Sequence, residues 1–237
     1  MKNWAEQAKA AGAQPTGAVA HPSATVVLLR EEAGALEALM LKRSSKLAFH
    51  GGAWVLPGGR VDDEDRVEGG DVLDAARRAA ARETWEEVGL VVDPTALVHL
   101  SVWTTPEISP KRFVTWFFVA EVGEGTAEVD GVEAEEHRWY RPDDALAARA
   151  AGSIELAPPQ FVTLLALRGL TVPDVLAHAA GSEPMDFRPR FHFLDGGVAM
   201  CVYTEDVAFD DVGLLDAPGP RHRLVMTDGE WVYERDH

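Results

Sequence analysis

Short runs of β-branched and aliphatic residues, separated by turn residues, fill most of the first 141 positions and predict strands. These strands are predicted at 24–30, 38–43, 53–56, 96–104, 112–122 and 136–141. Between the third and the fourth, apolar residues recur at helical spacing and predict a helix from about Val72 to Val88. Asp71 is its predicted N-cap, and the predicted inward stripe is Leu73, Ala76, Ala80, Thr84 and Val88.

The later part of the chain predicts three more helices and a β-rich tail. Helices are predicted to begin at Pro142, to run from Pro158 towards Arg168, and to cover 173–180. Strand-like segments follow at 190–194, 198–203, 223–227 and 231–234, with Asp228-Gly229 as a hairpin turn. The order of elements predicts an α+β fold built on a mixed sheet. We divide it into an N-terminal arm or short helix (1–20), a main domain (21–170) and a C-terminal extension (171–237).

Composition narrows the class of protein. With 237 residues and 46% hydrophobic residues, the chain is long and apolar enough for a substantial core. The formal net charge of −17 disfavours nucleic acid as a partner. A single cysteine, Cys201, excludes an intramolecular disulfide, is expected to be a buried structural thiol, and fits a reducing cytoplasm. No apolar run reaches the length of a membrane span, so a cytoplasmic protein is expected.

The stretch Arg82-Glu83-Thr84-Trp85-Glu86-Glu87-Val88-Gly89-Leu90 carries the strongest chemical signal. Glu83, Glu86 and Glu87 are spaced so that all three carboxylates project from one face of a helix. Like charges at this spacing are unfavourable, the more so close to the helix stop at Gly89, where the macrodipole is negative. Hard cations such as Mg²⁺ prefer oxygen ligands, so the cluster predicts a metal site.

This stretch resembles the Nudix hydrolase superfamily, whose signature is G-x5-E-x7-R-E-U-x-E-E-x-G-U, with U a bulky apolar residue. Matching positions are Arg82-Glu83, Glu86-Glu87 and Gly89-Leu90. Asp74 stands eight residues before Arg82, where the signature has Glu, and Thr84 replaces an aliphatic residue. The loop after Gly58-Gly59 is about nine residues longer than the signature allows, at little cost in loop-closure entropy.

The resemblance implies an α/β/α sandwich that binds Mg²⁺ or Mn²⁺ and hydrolyses a diphosphate (pyrophosphatase activity). Glu83, Glu86 and Glu87 would be metal ligands together with the carbonyl of Gly58. Arg82 would orient Glu83 and Glu86. Metal ions neutralise the anionic oxygens that shield phosphorus and activate the attacking water.

Many members of the superfamily use one more carboxylate from outside the signature as a ligand or general base. The candidates here are Glu133 and Glu136, favoured equally, and then Glu135. The alternative is that all three are solvated surface acids.

The segments 39–44, Gly52 and 56–59 resemble the motif that precedes the signature in coenzyme A diphosphatases. Leu41, Ala48 and Leu56 stand where that motif has Thr, Arg and Phe. The long insertion and the segment 47–54 are closer to the peroxisomal coenzyme A diphosphatase branch. The resemblance therefore implies coenzyme A or acyl-CoA as substrate.

Other substrates and another class of function stay open. ADP-ribose, NADH or a nucleotide sugar comes next, followed by an oxidised-nucleotide triphosphate. A Nudix-fold binding module without catalysis is the alternative from a different class, but such modules are expected to have a broken Arg-Glu-x-x-Glu-Glu string. Here the string is complete, which favours an enzyme.

Candidate substrate contacts lie on two neighbouring strands. Arg112 and Lys111 are the nearest cations for a substrate phosphate, unless they are a solvated strand end. Trp103 and Phe113 could stack on a base, although aromatic residues on strands are more often core. The extension 171–237 would cover the substrate cleft or pair two chains as a homodimer.

Overall fold

The computed structural model describes residues 15–45, 51–122, 126–129, 131–132, 134–227 and 229–236. Four features predicted above lie wholly or partly outside these residues. They are most of the N-terminal arm, the lead-in at 47–50 with Ala48, the candidate base Glu133, and Asp228 of the predicted hairpin turn.

Eight strands form one sheet. They are β1 (Ala20–Glu32), β2 (Ala35–Arg43), β3 (Trp54–Val55), β4 (Gly58–Arg60), β5 (Val98–Thr104), β6 (Arg112–Glu121), β7 (Ala134–Tyr140) and β8 (Met185–Phe187). The order is β3-β2-β1-β6-β5-β8, with β4 paired to β1 and β7 paired to β2. The six strands predicted in this part of the sequence are all present.

Four α-helices occur in the described part of the chain. They are α1 (Val72–Val88), α2 (Pro142–Ala150), α3 (Pro158–Ala166) and α4 (Val172–Gly181). Each begins at or next to its predicted start, and the α+β fold class is confirmed. None of these helices is long and apolar enough to cross a membrane.

A second, four-stranded sheet follows near the C-terminus. It consists of β9 (Arg190–Phe193), β10 (Ala199–Val202), β11 (His222–Met226) and β12 (Trp231–Arg235). The order is β12-β11-β10-β9, and every neighbouring pair is antiparallel. Met226 pairs with Trp231, as the predicted hairpin between the last two strands requires.

The chain divides into two compact units. The major unit comprises 21–102 and 114–185, and the minor unit comprises the described residues of 15–20, 103–113 and 186–236. The boundaries fall within β1, β5, β6 and β8, so those strands contribute residues to both units.

The core of the major unit covers both faces of its sheet. Side chains alternate between faces along a strand. Val26 and Leu28 of β1 and Leu39 and Leu41 of β2 pack in one buried cluster with the alanine face of α1. Ala38 and Met40, on the opposite face of β2, are fully buried as well. A sheet covered on both faces agrees with the predicted sandwich.

Sequence reasoning missed two local structures near Gly58-Gly59. The predicted third strand ends at Leu56, but Gly58 and Gly59 belong to a further strand, β4, in which Gly58 pairs with Thr25 and Gly59 with Ala24 of β1. The acidic insertion that follows was predicted as a loop, yet Asp63–Asp65 form a short 3-10 helix.

In the minor unit, Cys201 is the expected buried thiol. It is 2% exposed. Burial raises its pKa to about 12, so the thiolate is scarce near neutral pH and the thiol is unreactive.

Candidate functional site

Helix α1 begins and ends where its capping residues require. Asp71 Oδ1 accepts a hydrogen bond from the backbone N–H of Asp74 at 2.8 Å, which caps the first turn. Gly89 adopts a left-handed φ of 68°, which ends the last turn. The predicted bounds are therefore confirmed, and the three glutamates lie in the last two turns of the helix.

The backbone of β4 lies directly against these glutamates. The N–H of Gly58 donates to Glu87 Oε2 at 2.9 Å, and Glu87 is only 5% exposed. A Cβ on Gly59 would overlap the carboxylate of Glu83, so only glycine leaves that carboxylate its place. Gly58 has a φ of 151°, which side-chain-bearing residues rarely adopt. Gly58 therefore bonds Glu87, and Gly59 leaves space for Glu83, so both glycines contribute to the placement of the glutamates.

Arg82 connects the loop after β4 to the helix. Its Nε and Nη2 donate to the two carboxylate oxygens of Asp65 at 3.1 and 2.9 Å. Its Nη1 donates to Glu83 Oε1 at 3.0 Å and to Glu86 Oε2 at 2.9 Å. The carbonyl of Arg60 accepts a further bond from Nη2 at 3.0 Å. These bonds to Glu83 and Glu86 are those that the predicted orienting role of Arg82 requires.

Negative charge is in surplus around Arg82. Asp62 and Glu64 also lie within ion-pair distance of its guanidinium, at 3.8 and 3.7 Å, so one cation faces five carboxylates. The hydrogen bonds that Arg82 donates to Asp65 are the main reason why the pKa of Arg82 is raised. The uncompensated charge favours the arrival of another cation.

The predicted metal ligands differ in their exposure. The side chain of Glu86 is 47% exposed and that of Glu83 14%, whereas Glu87 is buried. Among the described residues, no three acidic, histidine or cysteine side chains are already gathered as a metal would gather them. Arg82 Nη1 bonds one carboxylate oxygen of Glu83 and one of Glu86.

Two of the three candidates for the additional carboxylate can be placed. Glu136 pairs with Lys42 and Arg138 at 4.0 and 3.1 Å. In the register of β7 against β2, Glu136 lies opposite Lys42, whereas His137 lies opposite Leu41, whose face packs on α1. Glu136 therefore lies on the face of the sheet that α1 does not cover, because neighbouring residues of a strand alternate.

Glu135 has a different environment. Its carboxylate accepts hydrogen bonds from the N–H and hydroxyl of Ser45, both at 2.9 Å, and these bonds lower its pKa. It therefore fastens the end of β2. Glu133 lies outside the described residues, and its role as a base stays a prediction.

The four predicted substrate contacts belong to the minor unit. Arg112 donates to the carbonyl oxygens of Thr105 and Ala18 at 3.2 and 3.1 Å, so it holds the backbone together. Trp103 is 5% exposed and stacks on Phe187 at 3.7 Å, as a core residue would. Lys111 is exposed and Phe113 is half-buried. Their roles in binding stay predictions.

A family model supplies the decisive comparison. The NUDIX domain model matches residues 19–159, which is more than half of the chain. The chain belongs to the Nudix family. The predicted membership of the Nudix superfamily is thereby confirmed.

A curated relative agrees with this assignment over part of the chain. Nudix hydrolase 15, mitochondrial, from Arabidopsis thaliana is 37% identical over 70 residues. That match covers 30% of this chain and 21% of the relative, so it spans about a fifth of that protein.

Two solved structures share the fold. The NUDIX hydrolase from Alicyclobacillus acidocaldarius superposes with a TM-score of 0.63 and 21% identity, over 69% of this chain and 98% of that one. The NUDIX domain of Shewanella oneidensis NrtR, complexed with ADP ribose, has a TM-score of 0.50 and 18% identity, over 69% and 96%. At these identities the likeness concerns the fold.

The geometry corrects how the Nudix signature maps onto this chain. Counted back from Arg82, the first signature Glu falls on Asp74, but Asp74 contacts Arg77 at 3.2 Å on the surface and is not a partner of Arg82. Counted forward from Gly59, the same position falls on Asp65, which is buried and bonded to Arg82. The insertion therefore lies after Asp65, and the forward count would have identified this residue.

Proposed function

We propose that the chain is a Mg²⁺- or Mn²⁺-dependent Nudix hydrolase that cleaves the diphosphate of a nucleoside diphosphate linked to another moiety. The observation that supports this proposal is the surplus of carboxylates around Arg82, next to a Gly-Gly backbone that leaves room for Glu83. Products would be a nucleoside monophosphate and the phosphorylated remainder.

The donor set fits a hard divalent cation. Glu83, Glu86 and Glu87 offer carboxylate oxygens, and Gly58 offers a backbone carbonyl, which are the ligands that Mg²⁺ and Mn²⁺ accept. The cation would neutralise the diphosphate and lower the pKa of a bound water. Glu87 is already fixed by the N–H of Gly58, whereas the exposed carboxylate of Glu86 faces solvent and can take a proton from water.

Arg82 has an orienting role in this proposal. Its bonds hold Glu83 and Glu86 in one arrangement before substrate arrives, so little reorganisation is needed at the moment of reaction. Glu133 remains the proposed further base, because Glu136 lies on the other face of the sheet and Glu135 is bonded to Ser45.

Coenzyme A or acyl-CoA is the substrate that the sequence favours, through its resemblance to the coenzyme A diphosphatase motif. ADP-ribose is the second candidate, since the structurally similar NrtR domain was crystallised with it. NADH and nucleotide sugars share the same diphosphate chemistry. A binding module without catalysis is the alternative from another class.

A mixed-substrate digest tests the proposal. Coenzyme A, acetyl-CoA, ADP-ribose, NADH and 8-oxo-dGTP are incubated together with the chain and Mg²⁺, and products are identified by mass spectrometry. Release of 4′-phosphopantetheine with 3′,5′-ADP identifies coenzyme A, and release of AMP with ribose 5-phosphate identifies ADP-ribose. Glu86→Gln is expected to lose activity by about a hundredfold or more.

Asp63→Asn is the matched control for that variant. Asp63 lies in the same acidic loop as Asp65 but is not among the five partners of Arg82, so loss of its charge is expected to leave turnover unchanged. Equal activity of Glu86→Gln and the unmodified chain would refute the assignment of the site. Absence of every product, with Mn²⁺ still bound, would favour the binding module.

A further inference from the structure

Strand β12 forms one edge of the second sheet. It pairs with β11 on one side, and no strand in the described part of the chain pairs with its other side. At its two ends, the N–H of Thr227 bonds the carbonyl of Glu230 and the N–H of Asp236 bonds the carbonyl of Arg221, both at 2.9 Å. Because bonded positions alternate along an antiparallel ladder, every second residue from 230 to 236 bonds β11. The residues whose N–H and C=O groups point outward from this edge are therefore 231, 233 and 235.

The opposite edge of the same sheet, β9, is protected in a way that β12 is not. Pro189 directly precedes β9, and proline has no N–H to offer a further strand. The side chain of Arg190, the first residue of β9, is held by Asp210 at 3.1 Å. By contrast, β12 contains no proline and keeps a regular register with β11 over all five of its residues. A regular, unblocked edge is the arrangement that accepts another strand.

The sequence of β12 is complementary to itself when a second copy of the strand runs antiparallel to it. With the Tyr233 residues of the two copies facing each other, the outward-pointing backbone groups of both strands meet. Arg235 of each copy then lies opposite Trp231 of the other, and Val232 lies opposite Glu234. No two like charges face each other in this register, so it avoids the repulsion that destabilises strand pairs.

Arg235 supplies a second reason for this register. Its Nε is buried and has no hydrogen-bond partner among the described residues. Its nearest ion-pair partner in that part of the chain is Glu205, at 3.8 Å. A guanidinium that lies opposite an indole ring gains a cation–π contact, and the twofold symmetry makes that contact twice.

We propose that β12 pairs antiparallel with β12 of a second copy of this chain, centred on Tyr233, and joins two four-stranded sheets into one. The strand carries one anion, Glu234, and one cation, Arg235, so two copies of it meet without net charge. This balance matters in a chain whose formal net charge of −17 otherwise repels its own copies. The pairing does not depend on the reaction that the major unit performs.

Sedimentation equilibrium of the full chain over a wide range of concentrations measures the Kd of the dimer. Val232→Glu places a carboxylate opposite Glu234 of the other copy, at two symmetric positions, and we expect the Kd to rise about tenfold. Val232→Lys places an ammonium group there instead, and the Kd should fall about threefold. Equal Kd values in these two variants would overturn the proposal, as would a chain that stays monomeric at every concentration.

Val212→Glu is the matched control. Val212 is 41% exposed and Val232 is 42% exposed, but Val212 lies in the short 3-10 helix Val212–Leu214 and not in a strand. The control adds the same charge to the same unit, so its Kd should stay within about twofold of that of the unmodified chain. If Val212→Glu weakens the dimer as much as Val232→Glu, general repulsion explains the effect and the assignment to β12 fails.

Hydrogen exchange on the unmodified chain covers the case in which a β12 variant does not fold. The amides of Tyr233 and Arg235 point away from β11, so they should exchange more slowly at concentrations where the dimer forms. The amide of Phe193 is the control, because the bond from the N–H of Leu194 to the carbonyl of Val198 makes Phe193 point outward from β9. Exchange at Tyr233 and Arg235 that is independent of concentration would overturn the proposal, and so would slowing at Phe193 instead.

Discussion

Two arginine–aspartate pairs, one in each unit, have the same bidentate geometry and opposite surroundings. In the minor unit Arg223 bonds Asp206 at 2.7 and 2.6 Å, and in the major unit Arg82 bonds Asp65 at 3.1 and 2.9 Å. The side chain of Arg223 is 5% exposed, and Asp206 also accepts two backbone N–H bonds. Arg82 is shared with four further carboxylates.

The difference indicates what each pair does. Burial alone would raise the pKa of Asp206, but the hydrogen bonds from Arg223 and the backbone lower it, so the pair stays ionised. One cation balances one anion there, which is a structural arrangement. Around Arg82 the charges are not balanced, and a surplus of anions lowers stability unless another cation joins. The imbalance is what makes the major unit a candidate for chemistry.

The largest effect is expected from breaking the balanced pair. Asp206→Asn leaves the buried guanidinium of Arg223 without its counter-ion, and the free energy of unfolding in urea should fall by about 3–5 kcal/mol. Asp65→Asn should cost less, about 1–2 kcal/mol, because Arg82 keeps four other carboxylates. Equal losses in the two variants would contradict the distinction between the pairs.

The next effect concerns the room that Gly59 leaves for Glu83. Gly59→Ala pushes the carboxylate of Glu83 aside, and a displacement of this size is expected to reduce kcat about a hundredfold. Gly181→Ala is the matched control, since its Cβ meets no neighbour. Steady-state kinetics on the substrate found in the digest would measure the turnover of both variants. Normal turnover in Gly59→Ala would contradict the claim that the site needs glycine next to Glu83.

A smaller effect is expected from pH in the minor unit. Burial lowers the pKa of His222 from 6.5 to about 4, an effect that Arg235 enhances and Glu205 opposes. Below pH 6.5 the unfolded chain therefore binds a proton at His222 that the folded chain does not bind. The contribution of His222 to the free energy of unfolding is complete above pH 6.5 and is lost as the pH falls towards 4. We expect a loss of about 1.5 kcal/mol between pH 6.5 and 5.

His222→Gln should remove that part of the pH dependence, as measured by urea unfolding at several pH values. His178→Gln, at an exposed position of α4, is its control and should keep the slope of the unmodified chain. If His222→Gln keeps that slope as well, the acid sensitivity does not come from His222.

The features that the sequence predicted well are local. Asp71 and Gly89 decide the ends of α1 through bonds within one turn, so its bounds could be read from neighbouring residues. The β-branched run of β1 and the apolar run of β2 likewise predict strands by themselves. The placement of Arg82, Glu83 and Glu86 on one helix follows from the same short-range geometry.

Features that depend on distant partners could not be predicted in this way. β4 is a strand only because Gly58 and Gly59 pair with β1, since glycine has little preference for strands. The face on which Glu136 lies follows from the register of β7 against β2, with its irregularity between Lys42 and Arg43. The first signature acid falls on Asp65 or on Asp74, depending on the end from which the signature is counted, and the contact of Asp65 with Arg82 shows that the count from Gly59 is correct.

The central claim is that the surplus of carboxylates around Arg82 binds a divalent cation. A Mn²⁺ titration of the unmodified chain, Glu86→Gln and Asp63→Asn tests it most directly, because the two variants lose the same charge and only Glu86 contacts Arg82. We predict that Glu86→Gln weakens Mn²⁺ binding by about tenfold or more, whereas Asp63→Asn retains it. Equal Mn²⁺ affinity in all three proteins would contradict the account.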